Sequence, residues 1–140
     1  MMRPAALLFA VVLVFAAAGA LSQSAGAADT PALYNAAQAN AGGQIFAQQC
    51  ATCHGAQMEG GAGPALRGTP FHQLAQAQNL NAQSLLTVVS QTMPQDNPAS
   101  LPPAQYKALV AYILQQNGYP AGGTELSADN PQLKDLNLSQ

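Results

Sequence analysis

Charge is what this sequence has least of. Asp, Glu, Lys and Arg make up 7% of its 140 residues, against roughly 25% in an ordinary soluble protein. Four Lys and Arg in all cannot build a surface that tracks a phosphate backbone, which excludes a nucleic-acid binder. Two cysteines are too few for a disulfide scaffold. Nowhere do Val and Ile alternate with polar residues, so strands have little support and the class expected is all-α. Nor is the chain built for disorder, since 49% of it is hydrophobic and its formal net charge is only −2.

The apolar residues are not spread evenly. Behind Arg3, a continuous run from Ala5 to Leu21 holds Leu7, Leu8, Phe9, Val11, Val12, Leu13, Val14 and Phe15. Ala25-Gly26-Ala27 follows, with small residues at the spacing that signal peptidase accepts. Charged start, apolar centre and small-residue end read as a secretory signal spanning 1–27 and cleaved near Ala28. The rival is a retained anchor, but the run sits at the bottom of the membrane-spanning length range. Export places the protein in the periplasm, soluble and without stable membrane insertion once the signal has gone. That compartment is oxidising, so thiols there become oxidised or captured.

Residues 28–40 are small and polar and read as a flexible arm. The domain itself is expected over 41–120, with a loop or tail over 121–140. A helix is predicted from Ala41, with Gly42, Ile45, Phe46, Gln49 and Cys50 at helical spacing. Gly60 to Gly63 is a loop by composition, and Pro64 to Pro70 carries further turn signals. A second helix is predicted from Asn81 to about Gln91, its apolar face formed by Leu85, Val88, Val89 and Thr92, and Pro94 ends it. The third opens on Pro102 and Pro103, with Tyr106, Leu109, Val110 and Ile113 at helical spacing. Gly118 is placed to cap its end. Tyr106 and Lys107 are nonetheless read as outer residues of this helix. A short turn is expected near Leu133 to Leu136.

Both cysteines fall in Cys50-Ala51-Thr52-Cys53-His54, the C-x-x-C-H signature of covalent c-type haem attachment. Two thiols three residues apart span the vinyl groups on one porphyrin edge and form thioethers. The adjacent His54 then offers a neutral imidazole nitrogen to the iron as proximal ligand. Competing chemistries fit less well. A redox-active Cys-x-x-Cys belongs beside a βαβ pattern. Structural zinc would need Cys50, Cys53, His54 and His72 together, with two of them adjacent in sequence. For the opposite face of the iron the candidates are Met58, Met93 and His72. Met58 is tethered too closely to His54 to pass around the macrocycle. Met93, immediately before Pro94, reads on spacing alone equally as a thioether ligand or as core packing. Arg67 is a propionate partner or a solvated cation. His72 lines the propionate edge, replaces Met93, or is simply packed.

The order Gly42-x-x-x-Phe46-x-x-x-Cys50-x-x-Cys53-His54, then Gly63-Pro64-Ala65-Leu66-x-Gly68, Met93-Pro94 and Leu109-x-x-Tyr112, resembles the class I c-type cytochromes over residues 42 to about 116. The resemblance implies a cytochrome c fold, with three main helices wrapped around one covalently attached haem c. It implies His54 and Met93 as axial ligands, and Gly42 and Phe46 crossing Leu109 and Tyr112. It also implies that the Pro64 carbonyl accepts a hydrogen bond from His54 Nδ1 and that Leu66 packs on the haem. With no Trp in the chain, any propionate contact made by an indole in relatives must come from elsewhere. More loosely, Gln105 to Gly123 looks like the C-terminal region of cytochromes that serve periplasmic quinoprotein dehydrogenases.

The function expected is therefore single-electron transfer between such a dehydrogenase as donor and a downstream acceptor, rather than enzymatic catalysis. A haem enzyme or gas-binding protein with an open distal side is the alternative. It would need a distal acid–base pair that this sequence does not display. Among the residues from Ala28 on, Arg67, Lys107 and Lys134 are the only Lys or Arg, and Gln and Asn carry most of the polarity. Docking is expected to be small in area, amide-rich and weakly dependent on salt.

Overall fold

The computed structural model describes residues 30–139. The expected signal, 1–27, lies outside the described residues. Asn35 accepts the Gln38 N–H on its side-chain oxygen at 2.8 Å and caps α1, Ala36–Gln49. The helix thus begins five residues before the predicted Ala41. Leu33 and Tyr34 just ahead of it are almost fully buried, so this part of the expected arm is packed rather than free. An Asx cap followed by Ala-Ala carries no apolar periodicity, and for that reason the sequence signal began late.

At Cys50 (φ −123°, ψ −31°) α1 stops and a single turn, α2, Ala51–His54, takes over until Gly55 at φ +82°. Next comes a helix for which no expectation stands beyond the turn signals ending at Pro70: α3, Gly68–Ala77, with Phe71 and Ala75 buried one turn apart. Pro70 falls within its first turn, where proline displaces no helical hydrogen bond. Asn81 and Ser84 form a reciprocal cap at the start of α4, Ala82–Thr92. Its buried residues are Ala82, Leu85 and Leu86. Val88 and Thr92, placed on the apolar face by spacing, are exposed, and Val89 is half-buried. The stripe that packs runs from Ala82, whose small side chain barely registers as apolar.

α5, Pro103–Gln116, is the centre of the molecule, with seven buried residues and packing against both α1 and α4. It crosses α1 where a Cβ on Gly42 would collide with the Ala108 carbonyl and stand 2.9 Å from Tyr112 Cβ. Phe46 and Tyr112 meet beside this point with ring centroids 5.7 Å apart. Gly42 and Phe46 therefore cross α5 as expected, and the close approach explains why the position has no side chain.

Beyond α5 the chain straps back over the domain. Gly122 N–H donates to the Tyr34 carbonyl, and Gln38 pairs both side-chain groups with the backbone of Leu126. Leu138 N–H reaches Leu80, and Ala82 N–H reaches Leu136. Leu126, Leu133, Leu136 and Leu138 are all buried, and Pro131–Leu133 forms a 3-10 turn. Residues 121–139 are thus irregular, and four of their leucines belong to the core. Among the described residues there is no strand beyond two isolated bridges. No helix there is long and apolar enough to cross a membrane.

Candidate haem site

The Cys50 carbonyl accepts the N–H groups of both Cys53 (3.1 Å) and His54 (3.0 Å), which winds the motif into one tight turn. Neither cysteine is in a disulfide. Cys53 is exposed, while Cys50 is half-buried against the core. Burial, and secondarily the neighbouring Cys53, push the Cys50 thiol up to about 11, so it stays protonated at neutral pH.

His54 is buried, and its Nδ1 donates to the Pro64 carbonyl at 2.8 Å. The Pro64 contact implied by the resemblance is therefore present. A ring that donates through Nδ1 carries its free lone pair on Nε2, the tautomer suited to binding a metal. Gly63 contributes something that the sequence reading passed over. A Cβ there would lie 2.7 Å from His54 Cε1, so the backbone lies directly against the imidazole and leaves no room for a side chain. Three further backbone bonds hold this loop: Gly63 N–H to Cys53, Gly60 N–H to His54 and Leu66 N–H to Met58.

Leu66 is half-buried against the core, and its carbonyl accepts from the Asn117 side-chain amide at 2.9 Å. The same Asn117 accepts from Gly68 N–H, and so ties the loop that carries Pro64 to the end of α5. Nothing in a lone Asn before a glycine signals this from sequence. Arg67 is exposed, in a shallow groove shared with Gln57 and Glu59. His72 donates through Nδ1 to the Leu138 carbonyl at 3.0 Å and sits edge-on to Phe71, so it is a packed histidine. Met58, set aside on tether length, is buried core.

Met93 is the half-buried C-cap residue of α4. Its carbonyl accepts the Tyr106 hydroxyl at 2.8 Å. Tyr106 is 3% exposed and lies on the inner side of α5, which corrects its reading as an outer residue. The phenol hydroxyl is satisfied by backbone there, so burial carries no penalty.

A haem c is tested by this donor set. Two unpaired thiols one turn apart, followed by an imidazole oriented through its Nδ1, match what covalent attachment and axial ligation require. Zinc is not matched, because among the described residues no three His, Cys, Asp or Glu side chains gather closely enough to hold a metal ion. The residues present fit a haem.

Residues 37–113 match the family model described as cytochrome c oxidase, cbb3-type, subunit III. Among solved structures, the chain is similar to the sulfane dehydrogenase SoxCD from Paracoccus pantotrophus, at 22% identity and a TM-score of 0.51. That likeness covers 70% of this chain and 55% of the other, and it shows a cytochrome c-like fold. The chain thus spans little more than half the length of the solved chain it matches. No curated protein matches the sequence.

Proposed function

From the starting point that the chain belongs to the cytochrome c oxidase, cbb3-type, subunit III family, we propose that it is an exported, periplasmic one-haem electron carrier with His54 and Met93 as axial ligands. The observation that carries the proposal is the His54–Pro64 hydrogen bond, which orients the imidazole directly behind two free thiols. Cys50 and Cys53 would hold one haem c through thioethers, and His54 Nε2 and the Met93 thioether would ligate its iron. When bound, the group supplies a one-electron couple, whose potential a thioether ligand raises. The protein fixes the imidazole through Pro64 and Gly63, and it holds Leu66 and Arg67 on the loop that follows. If His54 and Met93 both ligated the iron, they would leave no position there for a substrate, and exchange would be confined to the haem edge.

The family name and the dehydrogenase whose fold is shared both support a protein partner in electron transfer. A dehydrogenase, quinoprotein or otherwise, is the proposed donor, and a second redox protein the acceptor. The test is spectroscopic. Haem should survive denaturation and acid–acetone extraction, and the ferric protein should show the near-red band of Met-to-iron charge transfer. Met93→Ala should abolish that band while the haem stays attached. Extractable haem would refute covalent attachment. A band unchanged in Met93→Ala would remove Met93 from the iron, and fast carbon monoxide binding by the wild-type ferrous protein would favour an open distal side.

A further inference from the structure

The segment between α4 and α5 has almost no hold on the core. Residues 95–100 are all exposed, and Leu101 is the first half-buried side chain after Pro94. Ala99 is also held at φ +58°, a left-handed conformation that alanine disfavours. Yet both ends of the segment converge on one buried atom. The Tyr106 hydroxyl donates to the Met93 carbonyl at 2.8 Å and accepts the Leu101 N–H at 3.0 Å. The Met93 carbonyl has one other donor, Ala99 N–H at 3.3 Å, from within the same exposed segment.

We propose that Tyr106 is a positioning residue for Met93, its hydroxyl fixing the backbone from which the thioether is presented to the iron. This inference rests on Met93 being the axial ligand. The hydroxyl does not touch the sulfur. It acts by holding the Met93 backbone at the start of the exposed segment, and so lowers the share of molecules in which the thioether is off the iron. Tyr106→Phe keeps the ring in the core and removes both hydrogen bonds. With the two bonds together contributing about 1.4 kcal/mol, the Met-off population should rise roughly tenfold.

The readouts are the near-red band of the ferric protein and the rate of carbon monoxide binding to the ferrous protein. In Tyr106→Phe the band should lose intensity at a fixed neutral pH, and carbon monoxide should bind roughly tenfold faster. Tyr34→Phe is the control: it deletes a 2.6 Å bond from another buried tyrosine hydroxyl to the Tyr119 carbonyl, away from Met93. It should lower stability and leave both readouts unchanged. Should Tyr106→Phe accumulate poorly, Ala99→Gly relieves the positive φ and gives a stabilised background for the same comparison. Identical readouts in Tyr106→Phe and wild type overturn the inference, as does an equal rise in Tyr34→Phe, which would trace the effect to general loosening. A wild-type protein without the near-red band removes Met93 as ligand and the inference with it.

Discussion

Asn117 engages three backbone groups with one side chain. Its amide donates to Leu66 and Ile113, and its oxygen accepts from Gly68. Replacing it with Ala removes the link between the loop after Pro64 and the end of α5, and should cost about 1–3 kcal/mol, read as a lower urea midpoint. The reduction potential should shift as well, because the same loop aims the imidazole. Tyr34 gives a prediction in pH. Burial raises its ionisation above the ordinary tyrosine value of 10.0. The unfolded chain then loses this proton first, so its contribution to stability is intact below about pH 10 and is lost as pH climbs through the folded value. Thermal unfolding followed upward from pH 9 should show a decline that is shallower in Tyr34→Phe. At this scale the sequence disclosed chemistry better than support. Cys50, Cys53 and His54 were legible because reactive side chains at fixed spacing have few other uses. Asn117, Gly63 and the inward Tyr106 were not, because each works through backbone atoms of a segment distant in sequence.

The α1–α5 crossing is where packing tolerates least change. Gly42→Ala places a methyl group into the Ala108 carbonyl, and backbone cannot rotate aside as a flexible side chain would. The two helices must separate or shift, which should cost about 1–3 kcal/mol or more. Calorimetry of the haem-bearing protein should show a lower Tm, whereas Gly43→Ala, facing the edge of the Tyr112 ring at 3.1 Å, should cost less. The crossing was legible in Gly42, Phe46, Leu109 and Tyr112 through the family pattern. α5 was legible through its own stripe and its flanking prolines. α3 was hidden, because Gly68 and Pro70 are turn residues by composition and only Phe71 and Ala75 reach the core. In α4 two overlapping stripes compete, and contact with α5 rather than hydrophobicity selects the one containing Ala82.

For the whole molecule, scarcity of charge becomes a statement about encounter. Arg67, Lys107 and Lys134 cannot make the dense basic ring that steers a partner from a distance. Electron exchange with a physiological donor should therefore change by no more than about twofold between low and physiological salt, as stopped-flow measurements would show. A collapse of the rate with salt would show that charge on this surface does steer the encounter, and would overturn this reading. The strap over 121–139 has a different consequence, one of timing. Gln38 is sealed by Leu126, 88 positions later, and Tyr34 by Tyr119, 85 positions later. At about 5–20 residues per second of synthesis, that separation amounts to roughly 4–18 seconds during which the early part of the domain has no lid. Contacts so distant in sequence close last. Through that interval Cys50, half-buried once the domain closes, is carried on an open chain beside Cys53, which is exposed even in the finished fold.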